Sequence, residues 1–161
     1  MKVKQMVEEG NLDVGAIIFS DESHIYLKPK PNKQNWRQWS VTKPSTIYSI
    51  PLHTQKITVW SGIDSNKLWG PFFFEDANGA AISVTKERYT EMLTQIFPAD
   101  CPDININSFF QQDGAPPHTS RLALDWLEER FPDRLISNKS TFLWPPRSPD
   151  LNPCVFFCGA I

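Results

Sequence analysis

An α/β domain built on a mixed sheet is the fold class that this sequence of 161 residues predicts. Two observations predict it. Strand-like segments fill the first half of the chain outside one long irregular stretch, and helix-like and strand-like segments alternate in the second half. Strands first, followed by alternating helices and strands, are typical of an α/β domain whose sheet contains both kinds of pairing.

The strands of the first half are expected to form an antiparallel meander. Residues 14–19 are an apolar run that ends in Ser20-Asp21, which indicates a buried strand with a carboxylate at its C-terminal end. Residues 24–27 are expected to return beside it. The β-branched residues of 56–63 predict a third strand, and a polar turn then leads into a fourth at 68–75.

Helix signals begin at Thr85, a good N-cap that precedes apolar residues at helical spacing (Tyr89, Met92, Leu93 and Ile96). Residues 108–112 predict a short strand that delivers Asp113. Thr119 or Ser120 is expected to cap a second helix with an apolar face formed by Leu122, Trp126, Leu127 and Phe131. A last strand is predicted at 134–137. The Pro-rich segment up to Pro153 is expected to be extended, because a residue that precedes proline avoids helix.

The composition is that of one ordinary globular domain. Hydrophobic residues make up 40% and charged residues 21% of the chain, a balance that argues against intrinsic disorder. No apolar run approaches twenty residues, and the N-terminus lacks the apolar core of a signal peptide. The three cysteines contain no close CxxC pair, which favours a reducing compartment. A net charge of -2 argues weakly against a general nucleic-acid binder.

A basic segment at residues 28–49 qualifies that last inference. No acidic residue occurs between Glu22 and Asp64, and Trp36 and Trp39 are interleaved with the cations of this stretch. These cations are Lys28, Lys30, Lys33, Arg37, Lys43 and Lys56. Such a composition suits a surface that meets phosphates and stacks on bases. A solvated loop with its aromatic residues in the core is the alternative. Loops of this length in a compact domain are usually functional.

Three strings carry a family resemblance: Ile17-Ile-Phe-Ser-Asp-Glu-Ser23, Gln111-Gln-Asp-Gly-Ala-Pro-Pro-His118 and Trp144-Pro-Pro-Arg-Ser-Pro-Asp-Leu-Asn-Pro153. Together, from about Asn11 to Phe157, they resemble the catalytic core of mariner-type transposases. The resemblance implies a ribonuclease-H-like fold, cleavage and joining of DNA with three carboxylates and Mg²⁺ or Mn²⁺, and work as dimers. The DNA partner implies a nuclear location if the chain is expressed, although no targeting signal is visible.

Asp21 and Asp113 match the first two acids of that family and are the expected catalytic and metal-binding residues. Mg²⁺ prefers oxygen ligands and is held by one or two carboxylates plus substrate phosphate, so acids from separate strands suit it. Taken alone, each Asp reads as a turn former. Glu22 is expected to face the opposite side of the strand and is not counted as a ligand.

The remaining candidates are auxiliary. His118, at a helix entrance, is expected either to lie near the DNA backbone or simply to cap the helix. Arg147 resembles a family position that is often basic or polar, which suggests a phosphate contact. Asp150 is expected to cap the helix that follows it rather than to replace a catalytic acid.

The resemblance assigns the third catalytic acid to position 155, but the residue there is Val155. Only about ten residues precede the region of resemblance, so the helix-turn-helix modules of complete family members are expected to be absent, and the last helix to be truncated. The sequence therefore favours a transposase-derived DNA-binding domain without catalytic activity. Two alternatives stay open: an active nuclease or strand-transferase that uses a substitute acid, and a module that pairs with full-length transposase.

Overall fold

The computed structural model describes residues 2–26, 56–145 and 148–158. The predictions for Lys28, Lys30, Lys33, Arg37 and Arg147 lie outside the described residues. The described helices are α1 (Lys2–Glu8), α2 (Lys86–Ile96), α3 (Arg121–Arg130) and α4 (Pro153–Cys158). The strands are β1 (Ile17–Tyr26), β2 (Lys56–Ile63), β3 (Leu68–Phe74), β4 (Phe109–Gln111), β5 (Leu135–Ser137) and β6 (Phe142–Leu143).

The six strands form one mixed sheet in the order β3-β2-β1-β4-β5-β6. The first three strands along the chain pair antiparallel, and β4, β5 and β6 join them in parallel. This arrangement confirms the predicted ribonuclease-H-like α/β class. β1 lies at the junction, because it pairs antiparallel with β2 on one side and parallel with β4 on the other.

The prediction of two separate strands at 14–19 and 24–27 is wrong. Residues 14–16 form a 3-10 turn that Asp13 caps, and a single strand then continues from Ile17 to Tyr26. Asp21 lies in its middle, opposite Ser61 of β2, rather than at its end. The polar string at 21–23 stays extended because β2, distant in the chain, supplies its hydrogen-bonding partner.

Helices cover both faces of the sheet, and the alternation of side chains along each strand divides the core between them. On one face, Ile18 and Phe110 pack with the buried residues of α2 and α3. On the other face, Ile17 and Phe109 form a second cluster, against which residues of α1 pack. Asp21 follows the parity of Ile17, so its side chain belongs to the second face.

The capping signals fix α2 and α3. The Thr85 hydroxyl accepts a hydrogen bond from the Arg88 N–H, and the Ser120 hydroxyl accepts one from the Ala123 N–H, which decides between the two predicted caps of α3. One expected apolar contact is wrong: Leu122 is largely exposed, while Leu127 of the same helix is fully buried.

Three elements were not expected. α1 lies in the short segment before the region of resemblance, for which no element was predicted, and it packs Val3, Met6 and Val7 on the second face of the sheet. The segment expected to be extended contains β6 and a 3-10 turn at Pro149–Leu151. No helix in the described part of the chain has both the length and the apolarity needed to cross a lipid bilayer.

Candidate functional site

The parallel pairing of β1 with β4 brings the two predicted acids together. Phe19 pairs with Gln111 at the end of this ladder. Asp21 and Asp113 each follow two residues later, Asp21 within β1 and Asp113 just past the end of β4, and both line one cleft. The structure brings the two acids to one cleft, although Asp21 lies within its strand rather than at its end, and their catalytic and metal-binding roles stay predictions.

A cleft of about 430 Å³ opens beside these acids. Its walls include Asp21, Asp113, Asn138, Trp144 and Val155. Val155 is 36% exposed, so its side chain does not belong to the buried core, where valine is most often found. The residue in the expected place of the third acid therefore faces the same cleft as the other two, but it brings no oxygen.

Hydrogen bonds to β1 hold α4, which carries Val155. Asn152 donates from Nδ2 to the Ser20 carbonyl at 2.9 Å, and its Oδ1 accepts from the Cys154 N–H at 3.0 Å. Asn152 is thus the side chain that caps α4, with Pro153 at the first helical position, where proline is favoured. The expectation that Asp150 caps this helix is wrong, since Asp150 lies within the preceding 3-10 turn.

Within the described part of the chain, each candidate carboxylate accepts hydrogen bonds through one oxygen. Asp21 Oδ1 accepts from the Glu22 N–H at 2.9 Å. Asp113 Oδ1 accepts from the Ala115 N–H at 2.9 Å and also contacts His118 Nδ1 at 2.6 Å. Burial raises the pKa of Asp21 to about 6, and the charges of Glu22 and Asp113 contribute in the same direction. Extra negative charge is therefore costly here, which is the electrostatic condition that a cation would relieve.

His118 lies buried between two carboxylates. Its Nδ1 faces Asp113, and its Nε2 lies 2.9 Å from Glu22 Oε1. Burial alone would lower the pKa of His118, but the charge of Glu22 and hydrogen bonds with Asp113 and Glu22 raise it to about 9. The ring also stacks on Tyr89, with 4.2 Å between ring centroids.

Two alternative expectations for His118 came from the sequence, a contact with the DNA backbone or a cap of the helix. Capping is wrong for it, because Ser120 caps α3. With the ring 3% exposed and both of its nitrogens facing carboxylates, its buried position disfavours a contact with DNA phosphate, which stays an untested prediction. Glu22 does point away from the cleft, as strand alternation predicts, and it thereby reaches His118.

Two further residues, Tyr89 and Gln112, take part in this region although no functional role was predicted for either. Tyr89 donates from its hydroxyl to Gln112 Oε1 at 2.9 Å, and Gln112 Nε2 donates to the His118 carbonyl at 2.9 Å. Gln112 stands beside Asp113 in one of the three strings, which was the only hint. These buried bonds join α2, the end of β4 and the entrance of α3.

The donor set fits one hard cation. A hydrated Mg²⁺ or Mn²⁺ is commonly held by one or two carboxylates, with water and phosphate completing its shell, and Asp21 and Asp113 provide that number. A second ion about 4 Å away needs another anchor. Among residues 2–26, 56–145 and 148–158 there is no group of three or more His, Cys, Asp or Glu side chains suited to a metal ion.

Comparison with known proteins gives a result at the level of structure. No protein-family model and no curated protein matches the sequence. The Mos1 mariner paired end complex with Mn matches with a TM-score of 0.68 at 20% identity over 99% of this chain. The catalytic domain of Mos1 mariner transposase matches with a TM-score of 0.58 at 17% identity over 98% of it. The fold is that of a mariner transposase catalytic domain.

A third similar structure, the Mos1 transposase paired-end complex with left transposon end, has a TM-score of 0.60 at 19% identity. This chain spans 44% of the matched chain in each of the two complexes and 62% of the catalytic-domain chain. At these identities the mariner likeness establishes the fold alone. What the chain does has to be argued from its own residues.

Proposed function

We propose that this chain is a transposase-derived DNA-binding domain that does not itself cut or join DNA. One observation carries the proposal: Val155 lines the same cleft as Asp21 and Asp113. On the family resemblance, residue 155 is the third acid of a metal-dependent DNA-cleaving site. A valine there removes one negative charge and two oxygen ligands, which leaves the second cation of a two-metal mechanism without a protein anchor.

The remaining pair of carboxylates would hold one Mg²⁺ or Mn²⁺, which supplies charge neutralisation at a DNA phosphate. DNA is the partner that the mariner-like fold favours, since the Mos1 structures it resembles include a complex with a transposon end. The cations at Lys28, Lys30, Lys33 and Arg37 are proposed to contact the backbone without reading sequence. Pairing with a second transposase-like chain and a nuclear location belong to the same proposal.

The activity test is metal-dependent nicking of a supercoiled plasmid. The unmodified chain is expected to be inert, and Val155→Asp is expected to nick in Mn²⁺ and to lose that activity when Asp113→Asn is added. Val14→Asp is the matched control, because Val14 is another exposed valine, lies in the 3-10 turn before β1 and does not line the cleft. Loss of one oriented transition-state donor costs about 10²–10³ in rate, and a metal anchor at least that much.

Two results would contradict this proposal. Nicking by the unmodified chain that Asp113→Asn abolishes would show that another acid completes the site, which is the active-enzyme alternative. Failure of Val155→Asp to nick, in a folded protein that binds DNA, would show that Val155 is not the missing group. Binding is measured separately by fluorescence anisotropy on a short duplex at several salt concentrations. Neutralising Lys28, Lys30 and Lys33 should lower the salt slope by about one per lost phosphate contact.

A further inference from the structure

We propose that Glu22 and His118 are positioning residues that orient the Asp113 carboxylate so that its Oδ2 is presented to the cleft. The inference rests on the proposed function in one respect, the binding of a divalent cation by Asp21 and Asp113. It adds residues that approach that cation only through another side chain. Glu22 lies on the face of β1 opposite to Asp21, so nothing in the cleft itself indicates its involvement.

The geometry at Asp113 is asymmetric. Both described hydrogen bonds to this carboxylate, from the Ala115 N–H and from His118 Nδ1, fall on Oδ1. The side chain is nevertheless 52% exposed and borders the cleft. An oxygen that already accepts two hydrogen bonds is a poor ligand, so the cation is directed to Oδ2. One-oxygen ligation is a geometry that Mg²⁺ accepts readily, since waters complete its octahedron.

His118 can hold that orientation because its own position is fixed on three sides. Glu22 Oε1 lies 2.9 Å from Nε2, the ring of Tyr89 covers one face, and Gln112 accepts from the Tyr89 hydroxyl while donating to the His118 carbonyl. Ionised carboxylates only accept hydrogen bonds, so both ring nitrogens donate. A single rotation of the ring would break both bonds at once.

Strand alternation explains why Glu22 follows Asp21 directly. Side chains at consecutive positions of β1 point to opposite faces, so one residue reaches the cleft and the next reaches the layer under α2 and α3. His118, between β4 and α3, connects that layer back to Asp113. Outer partners of this kind commonly change metal affinity by about 10-fold to 100-fold when they are replaced.

The primary test is Mn²⁺ binding by the full chain, measured from the electron paramagnetic resonance signal of the free ion. Glu22→Gln is expected to weaken binding by about 10-fold, whereas Glu129→Gln, the same change at an exposed site on α3, leaves it unchanged. His118→Gln separates positioning from charge. Removing a cation beside the site would strengthen Mn²⁺ binding by Coulomb's law alone, whereas loss of positioning weakens it. Tighter binding in His118→Gln, or no change in Glu22→Gln, would overturn the inference.

A second measurement does not need the metal. In ¹⁵N-histidine spectra of the metal-free protein, the His118 ring N–H protons should exchange slowly with solvent, because the ring is buried and bonded at both ends. Glu22→Gln should accelerate this exchange by about 10-fold or more, and Glu129→Gln should not. If the wild type binds no Mn²⁺, the metal site of the proposed function is refuted. The exchange rate of the His118 ring protons still shows whether Glu22 holds the ring in place. Equal rates in Glu22→Gln and wild type would overturn them.

Discussion

Replacing Asp21 with Asn is expected to stabilise the metal-free protein at neutral pH. Burial raises the pKa of Asp21 to about 6, with help from the charges of Glu22 and Asp113. The ionised carboxylate is therefore less favourable in the folded chain than in the unfolded chain. Asparagine has nearly the same shape, carries no charge, and keeps an Oδ1 that can accept from the Glu22 N–H.

The magnitude follows from the size of the pKa change. An increase from 3.8 to about 6 is worth at most about 3 kcal/mol at about 1.4 kcal/mol per unit. Asp21 is partly solvated, and solvent screening reduces that figure. We therefore expect Asp21→Asn to raise the free energy of unfolding by about 1–2 kcal/mol at pH 7.5.

The pH dependence distinguishes a charge effect from a contact effect. An acid with a raised folded-state pKa binds more protons when folded, so it lowers stability as the pH rises from about 4 through about 6, after which its effect is constant. The advantage of Asp21→Asn should be complete at pH 7.5 and absent below pH 4.

Urea unfolding in EDTA, followed by tryptophan fluorescence at pH 7.5 and at a pH below 4, measures the difference in free energy of unfolding between Asp21→Asn and wild type. Asp100→Asn, at an exposed position, is the control for a generic change of charge. A destabilising effect of the ionised carboxylate is refuted if Asp21→Asn is less stable than wild type at pH 7.5. It is also refuted if Asp21→Asn gains the same free energy of unfolding at both pH values, because the ionised carboxylate would then not be what destabilises the fold.

Three further substitutions test the contacts around the cleft by urea unfolding. The free energy of unfolding of the wild type should exceed that of His118→Gln most below pH 6.5, by an amount on the order of 2–3 kcal/mol. The difference should shrink as the pH rises through about 9, because a histidine with a raised pKa loses its proton there and no longer stabilises the fold. A difference that does not change with pH would contradict this. Tyr89→Phe leaves the buried Gln112 Oε1 without its donor and should cost about 1–3 kcal/mol; a neutral effect would mean that water replaces the hydroxyl. Asn152→Ala removes both the cap of α4 and the bond to Ser20, at about 1–2 kcal/mol, and no loss would show that α4 docks without them.

Local chemistry explains which elements could be predicted from the sequence. Thr85 and Ser120 cap helices by bonding to an N–H three residues away, and the β-branched run of β2 follows a local preference as well. These signals lie within one turn or one strand, so the sequence alone contains them. The apolar segments that lead into Asp21 and Asp113 are local signals as well, whereas the expectation that these two acids meet at one site depended on the family resemblance of the strings that contain them.

Long-range contacts explain the failures. The string at 21–23 reads locally as a turn, and only its pairing with Ser61, Trp60 and Val59 keeps it extended. Glu22 and His118 are separated by 96 positions, so no local pattern links them. Asp150 and Asn152 are both ordinary capping residues, and the bond to the Ser20 carbonyl, on a distant strand, is what distinguishes the second of them.

The exposure of Val155 has a consequence for how such a chain persists in a cell. Core packing in the described structure gains little from a side chain that is 36% exposed, so a change of acid to valine there costs almost nothing in folding free energy, within about 0.5 kcal/mol. Chaperones and proteases respond to the unfolded fraction of a protein, not to its chemistry. If the proposed function holds, a copy with Val155 in place of the third acid passes cellular quality control as a folded protein, and only the absence of its reaction reveals the change.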